Sequence, residues 1–164
     1  MRKLFLCLMI LVCASCARNH GKPIANITYL GADRYLDRNI YPVSFSSDID
    51  VVSLFKSRIG LSLLCPLDED KDFSIAHQMS NYGEGLIEPI ITDNGPAFKA
   101  DLMFFKRNDS TSQKLLKSDE LRSWLGQRES LACKVRINSY SYKVYLSETM
   151  NIPTADLLRE VNKY

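Results

Sequence analysis

Apolar and polar positions alternate along most of this chain, and a period of two puts successive side chains on opposite faces of a strand. Ile27, Tyr29 and Leu30 predict a short first strand, with Gly31 to Asp33 turning the chain. Residues 40 to 45 alternate next, and Pro42, which lacks a donor, predicts an edge or first strand there. Val51 to Phe55 is a further candidate. The clearest run is Arg58 to Cys65: Ile59, Leu61, Leu63 and Cys65 fall on one face, and Gly60, Ser62 and Leu64 on the other. Phe73, Ile75, His77 and Met79 predict another strand, with a helical turn as the alternative. Asn81 to Gly85 carries two glycines and predicts a turn before a strand from Leu86 to Ile91. Asn94-Gly95 then joins that strand to Ala97 to Lys106, a hairpin in which Phe98, Ala100, Leu102 and Phe104 share a face. Leu131, Cys133, Val135 and Ile137 alternate again, as do Tyr142, Val144 and Leu146.

Helical spacing occurs in two places. Ser118 to Gly126 reads as a short helix with Ser118 as N-cap, Asp119 and Glu120 in the first turn, and Leu121, Trp124 and Leu125 along one side. Thr154 to Val161, with Thr154 as N-cap candidate and Leu157, Leu158 and Val161 at helical spacing, reads as a terminal helix, a last strand being the alternative. Short strands joined by turns, without the regular helices that a parallel sheet needs, predict a mainly β, antiparallel β-sandwich or barrel-like fold with one or two short helices. An α+β layout is the alternative.

The first sixteen residues follow a different rule. Arg2 and Lys3 precede the apolar run Leu4 to Val12, and small residues follow, the pattern of a secretory signal. Nine residues make about 14 Å of helix, too short for a hydrocarbon core of about 30 Å. Ala14-Ser15-Cys16 resembles the lipobox of bacterial lipoproteins, departing from it at Cys13, where leucine is usual. The resemblance implies that Cys16 is diacylated and becomes the mature N-terminus. Ala17 after it, in place of the aspartate that retains such proteins at the inner membrane, implies the outer membrane, facing the periplasm. Ordinary cleavage after Ala17 is the alternative. The expected organisation is a signal over 1–15, a lipidated tether over 16–25 containing Gly21 and Pro23, and one β-rich domain over 26–164.

Composition fits that division. The chain is 46% hydrophobic and 24% charged, as a globular protein is. Arg2 and Lys3 leave with the signal, so 21 Lys+Arg fall to 19 against 19 Asp+Glu, and the body is neutral. Neutrality argues against a nucleic-acid partner, which selects a basic face. Of five cysteines, Cys7 and Cys13 lie in the signal and Cys16 carries the lipid. Cys65 and Cys133 remain, and an exported protein is expected to bond them.

Asp68, Asp70 and Asp72 have the D-x-D-x-D spacing of a calcium loop, but position six is Phe73 and position twelve is Met79, so no metal is expected. His77 is read as a hydrogen-bonded or half-buried strand histidine and Trp124 as half buried against the sheet, with a binding anchor as its alternative, and no paired carboxylates or nucleophile motif point to an enzyme or a cofactor. The plan of lipobox, tether, β-rich body and a Tyr142 to Tyr145 strand before Pro153 resembles the periplasm-facing immunity lipoproteins that neutralise toxic effectors of type VI secretion, including phospholipases. The resemblance implies an inhibitor that binds a protein partner by surface complementarity and meets the membrane through its lipid. Its expected contact residues are the acidic run Asp68, Glu69, Asp70 and Asp72 and the aromatics Tyr82 and Tyr140. A structural or assembly lipoprotein of the envelope is the alternative.

Overall fold

The structure is a computed structural model that describes residues 22–163, apart from 56, 57, 75, 76, 94, 110, 141 and 142. The expected signal, Cys16 and the start of the expected tether lie outside the described residues, as does Tyr142. The described residues form nine antiparallel strands and two short helices. In chain order these are β1 (Ile27–Ala32), β2 (Tyr41–Ser47), β3 (Arg58–Pro66), β4 (Asn81–Ile90), β5 (Ala97–Arg107), β6 (Gln113–Leu115), α1 (Ser118–Leu125), β7 (Ser130–Ser139), β8 (Val144–Leu146), β9 (Met150–Pro153) and α2 (Thr154–Val161). The class is the mainly β, antiparallel one that the alternation predicts.

The strands run β1-β2-β5-β4-β3-β7-β8, with β9 also on β7 and β6 also on β5. This sheet curls until its two ends meet. Ile24 N donates to Leu146 O (2.9 Å) and Glu148 N to Ala25 O (2.8 Å), so the segment before β1 joins the β8–β9 side. Between β8 and β9, buried Ser147 holds the edge: its N donates to Val135 O (3.0 Å) and its Oγ accepts from Val135 N (2.9 Å).

Inside the curl lie the residues that the alternation assigned to one face. Tyr41, Val43 and Phe45 of β2, Phe98, Ala100, Leu102 and Phe104 of β5, and Leu131, Cys133, Val135 and Ile137 of β7 are all buried. Leu121 and Leu125 of α1 and Leu157 and Val161 of α2 close one end of this core, and the two helices lie against each other. Arg34, in the loop after β1, is buried against that end and donates to Val161 O and Arg38 O, both at 3.0 Å. Cys65 of β3 and Cys133 of β7 are bonded and fully buried, with Cα atoms 4.3 Å apart, the spacing of a non-hydrogen-bonded pair in an antiparallel ladder.

Several local expectations are corrected. Residues 51–55 are turns, because Asp50 Oδ1 accepts from the N–H groups of Val52 (3.0 Å) and Ser53 (3.2 Å) and caps the chain locally. Val51 is still fully buried. Of the predicted strand from Phe73 to Met79, Ile75 and Ala76 lie outside the described residues and the described remainder forms no strand, with the Ser74 N–H taken by Asp72 Oδ1 (2.9 Å). The Asn81 to Gly85 stretch is the first half of β4; its glycines serve close approach of neighbours, since a Cβ at Gly83 would lie 2.6 Å from the Phe104 ring. β2 is internal, and Pro42 pairs with Asp101 where its missing donor is tolerated near the strand's start. The N-caps are Lys117 and Pro153, one residue before the predicted Ser118 and Thr154, and the Glu120 carboxylate accepts from Lys117 N (2.9 Å). Ile59 is the extra residue of a β-bulge and points out, so the predicted face of β3 starts at Leu61.

Candidate functional site

Chain direction sorts the loops to two ends of the curled sheet. One end carries the segment from Lys22, the 48–57 connection, the β4–β5 turn and the β7–β8 turn. The other carries the β1–β2 loop, the 67–80 segment and both helices. Strand β3 spans the distance, with Arg58 opposite Ser139 at the first end and Pro66 opposite Tyr82 at the second.

The acidic run lies just past β3. Leu67 N donates to Asn81 O (2.8 Å), and Arg107 N to Ser80 O (2.7 Å), which closes the 67–80 segment at its base. Within it each aspartate organises the next residues: Asp68 Oδ1 accepts from Asp70 N (3.2 Å), Asp70 Oδ1 from Asp72 N (3.1 Å), and Asp72 Oδ1 from Ser74 N (2.9 Å). Successive Asx turns order the backbone from Asp68 to Ser74. His77 braces the result, its Nε2 bonded to the Asp70 carboxylate and its Nδ1 3.8 Å from Asp72 Oδ2. The Asp70 hydrogen bond raises the His77 pKa, and the same bond holds the Asp70 carboxyl below its ordinary value. The bond from Ser74 does the same for Asp72. These carboxylates therefore act on their own loop, and among the described residues no group of three or more His, Cys, Asp and Glu is placed to hold a metal ion.

Under the loop sits a second, smaller apolar cluster of Leu64, Phe73, Met79 and Tyr82 on the outer face of the sheet. It is the reason Leu64, assigned by alternation to a wet face, is buried. Tyr82 belongs to it: its side chain is 4% exposed, its hydroxyl meets Gln113 and Arg107, and the Arg107 guanidinium lies 5.5 Å from its ring centroid. The expectation of Tyr82 as a partner-contacting aromatic is thus corrected, because the 67–80 segment covers it.

Asp68, Glu69 and Lys71 form one wall of an open cleft of about 330 Å³. Gln127 and Arg128, just after α1, and Asn151 of β9 form the other. Arg128 lies with its guanidinium 5.9 Å from the Trp124 ring, and its buried Nε has no hydrogen-bond partner among the described residues. The cleft thus has carboxylates on one side and the Gln127, Arg128 and Asn151 donors on the other. Sequence reasoning missed Arg128, although its spacing of four from Trp124 is a helical-neighbour signal. A second groove, of about 460 Å³, crosses the outer face of β1 and β2 between Leu30, Tyr35, Pro42 and Lys99. Nothing in the sequence pairs Tyr35 with Lys99; the fold of the β1–β2 loop brings the Tyr35 ring centroid to 5.9 Å from the Lys99 ammonium.

The predicted contact set is therefore split. Asp68, Glu69, Asp70 and Asp72 are together at one end, Tyr140 is exposed in the β7–β8 turn at the other, and Tyr82 is inside. Fold and site define a disulfide-crosslinked, mainly β body with a braced acidic turn beside a cleft of both charge signs. Comparison with protein-family models, with curated proteins and with solved structures finds no match.

Proposed function

We propose that this chain is an exported, lipid-anchored binding protein that faces the periplasm from the outer membrane and neutralises a toxic effector. Export is supported by the leader and by the buried Cys65–Cys133 pair, anchoring by Cys16 after its small residues. The observation that carries the binding role is the acidic turn, whose backbone is held by its own aspartates and His77 before any partner arrives. A preordered loop loses little conformational freedom on binding, which is how inhibitors of this size reach high affinity. Glu69 and Lys71 project outward from it, and Arg128 faces them across the cleft.

The test is competition between sister cells. A strain lacking the gene is expected to be intoxicated by effector-bearing siblings and rescued by periplasmic expression of the wild-type protein. A folded Glu69→Arg, Arg128→Glu double variant is expected to rescue poorly. Unimpaired growth of the deletion strain in that competition overturns the reading and favours a structural role in the envelope.

A further inference from the structure

The two ends of the body differ in a way that the binding role does not use. Ile24 and Ala25 run beside Leu146 and Glu148 in the same direction, so the chain followed back to Lys22 leaves beside the β7–β8 turn. At that same end four large apolar side chains stand out from four separate loops or bulges. Leu54 is 40% exposed, Ile59 53% and Tyr140 74%, and Ile91, at the β4–β5 turn, is fully exposed. None of the four is packed in either core cluster. Among the described residues the charges at this end balance, Lys22, Arg58 and Lys143 against Asp48, Asp50 and Asp93, and Asp48 and Asp50 are already bonded to Asn26 and to Val52 and Ser53.

We propose that this end of the body rests on the bilayer surface, with Leu54, Ile59, Ile91 and Tyr140 in the headgroup region. The proposal rests on the anchor at Cys16. Five residues lie between Cys16 and Lys22, and the six Cα-to-Cα steps reach at most about 20 Å when fully extended, so the end from which they leave is the end the lipid holds near the membrane. Apolar side chains on an interfacial surface add affinity by leaving water, and a tyrosine ring with its hydroxyl outward suits the headgroup layer. The acidic turn is turned away at the same time. It lies beyond the far end of β3, about 30 Å of strand from the contact residues and several Debye lengths from an anionic surface that would repel it. The cleft bordered by Asp68, Glu69 and Arg128 then opens toward the periplasm, where a partner approaches. Other exposed apolar residues do not share this placement: Leu36 is in the β1–β2 loop at the opposite end.

Depth-dependent quenching tests the orientation on the full, processed chain. Ile91→Cys, Tyr140→Cys and Leu36→Cys are each labelled with a fluorophore; Cys65 and Cys133 are bonded and do not compete. The proteins are reconstituted into phosphatidylethanolamine and phosphatidylglycerol vesicles bearing a quencher on the acyl chains, and flotation establishes the anchor independently. The expected result is loss of most of the fluorescence at positions 91 and 140 and none at 36. In protein that floats with the vesicles, quenching at 36 as strong as at 91 or 140, or no quenching at any of the three, overturns the orientation and leaves the anchor standing. Protein that does not float removes both.

Discussion

Gly85→Ala isolates a close approach of β4 to the β5 backbone. A Cβ at Gly85 falls 2.7 Å from both C and O of Asp101 and 3.0 Å from Leu102 N. Carbon contacts settle at about 3.5–4.0 Å, so the methyl overlaps its neighbours by roughly 1 Å. Those neighbours are backbone atoms inside a strand paired on both edges, by β2 and β4, and cannot turn aside as a side chain can. Overpacking of this kind costs about 1–3 kcal/mol, and the rigid partner puts this site near the upper figure. Alanine returns about 0.5–1 kcal/mol by restricting the unfolded chain. The net loss is about 2 kcal/mol, or about 7 °C in Tm for a domain of this size. Urea titration and thermal melts followed by Trp124 fluorescence read it directly. Gly31→Ala is the internal control, because nothing lies within 4 Å of its added Cβ, and it is expected to match or slightly exceed the parent. A Gly85→Ala protein that melts within about 2 °C of the parent, or a Gly31→Ala protein that loses as much, refutes the steric argument.

The Cys65–Cys133 bond closes a sequence separation of 68, and the chain-entropy relation gives about 4 kcal/mol for a loop of that length. The double alanine variant is expected to lose most of that in denaturant titration, and native protein should resist alkylation until reduced and unfolded; a variant as stable as its parent would show that the unfolded chain does not feel the constraint. The His77 brace has a defined pH window. A raised histidine pKa contributes fully below the ordinary value of 6.5 and is lost as pH rises through the folded value, whereas the lowered Asp70 contributes above 3.8 and is lost as pH falls through its own. Amide exchange at Asp72 and Ser74, corrected for intrinsic rate, should therefore be slower at about pH 6 than at about pH 8.5, and His77→Ala should abolish the difference; equal protection in wild type at both values contradicts the brace.

Period two in β5 and β7 was enough to name their inward residues, since a strand buried on one side writes its faces into the sequence. The helical spacing of Leu121 and Leu125, and of Leu157 and Val161, was legible for the same reason, and Cys65 and Cys133, the two cysteines beyond residue 16, are the pair that bonds. Local pattern ended where side chains compete for backbone donors. Asp50 and Asp72 take backbone donors inside stretches predicted as strands, and Gly83 and Gly85, read as a turn, are strand residues thinned to admit Phe104 and the Asp101 backbone. What only the tertiary structure decided is which surfaces face one another. Burial of Tyr82 and Leu64 follows from the 67–80 segment folding back over the sheet, and the separation of Tyr140 from the acidic turn follows from the length of β3. Both depend on contacts between residues distant in sequence, whose energies no local window contains.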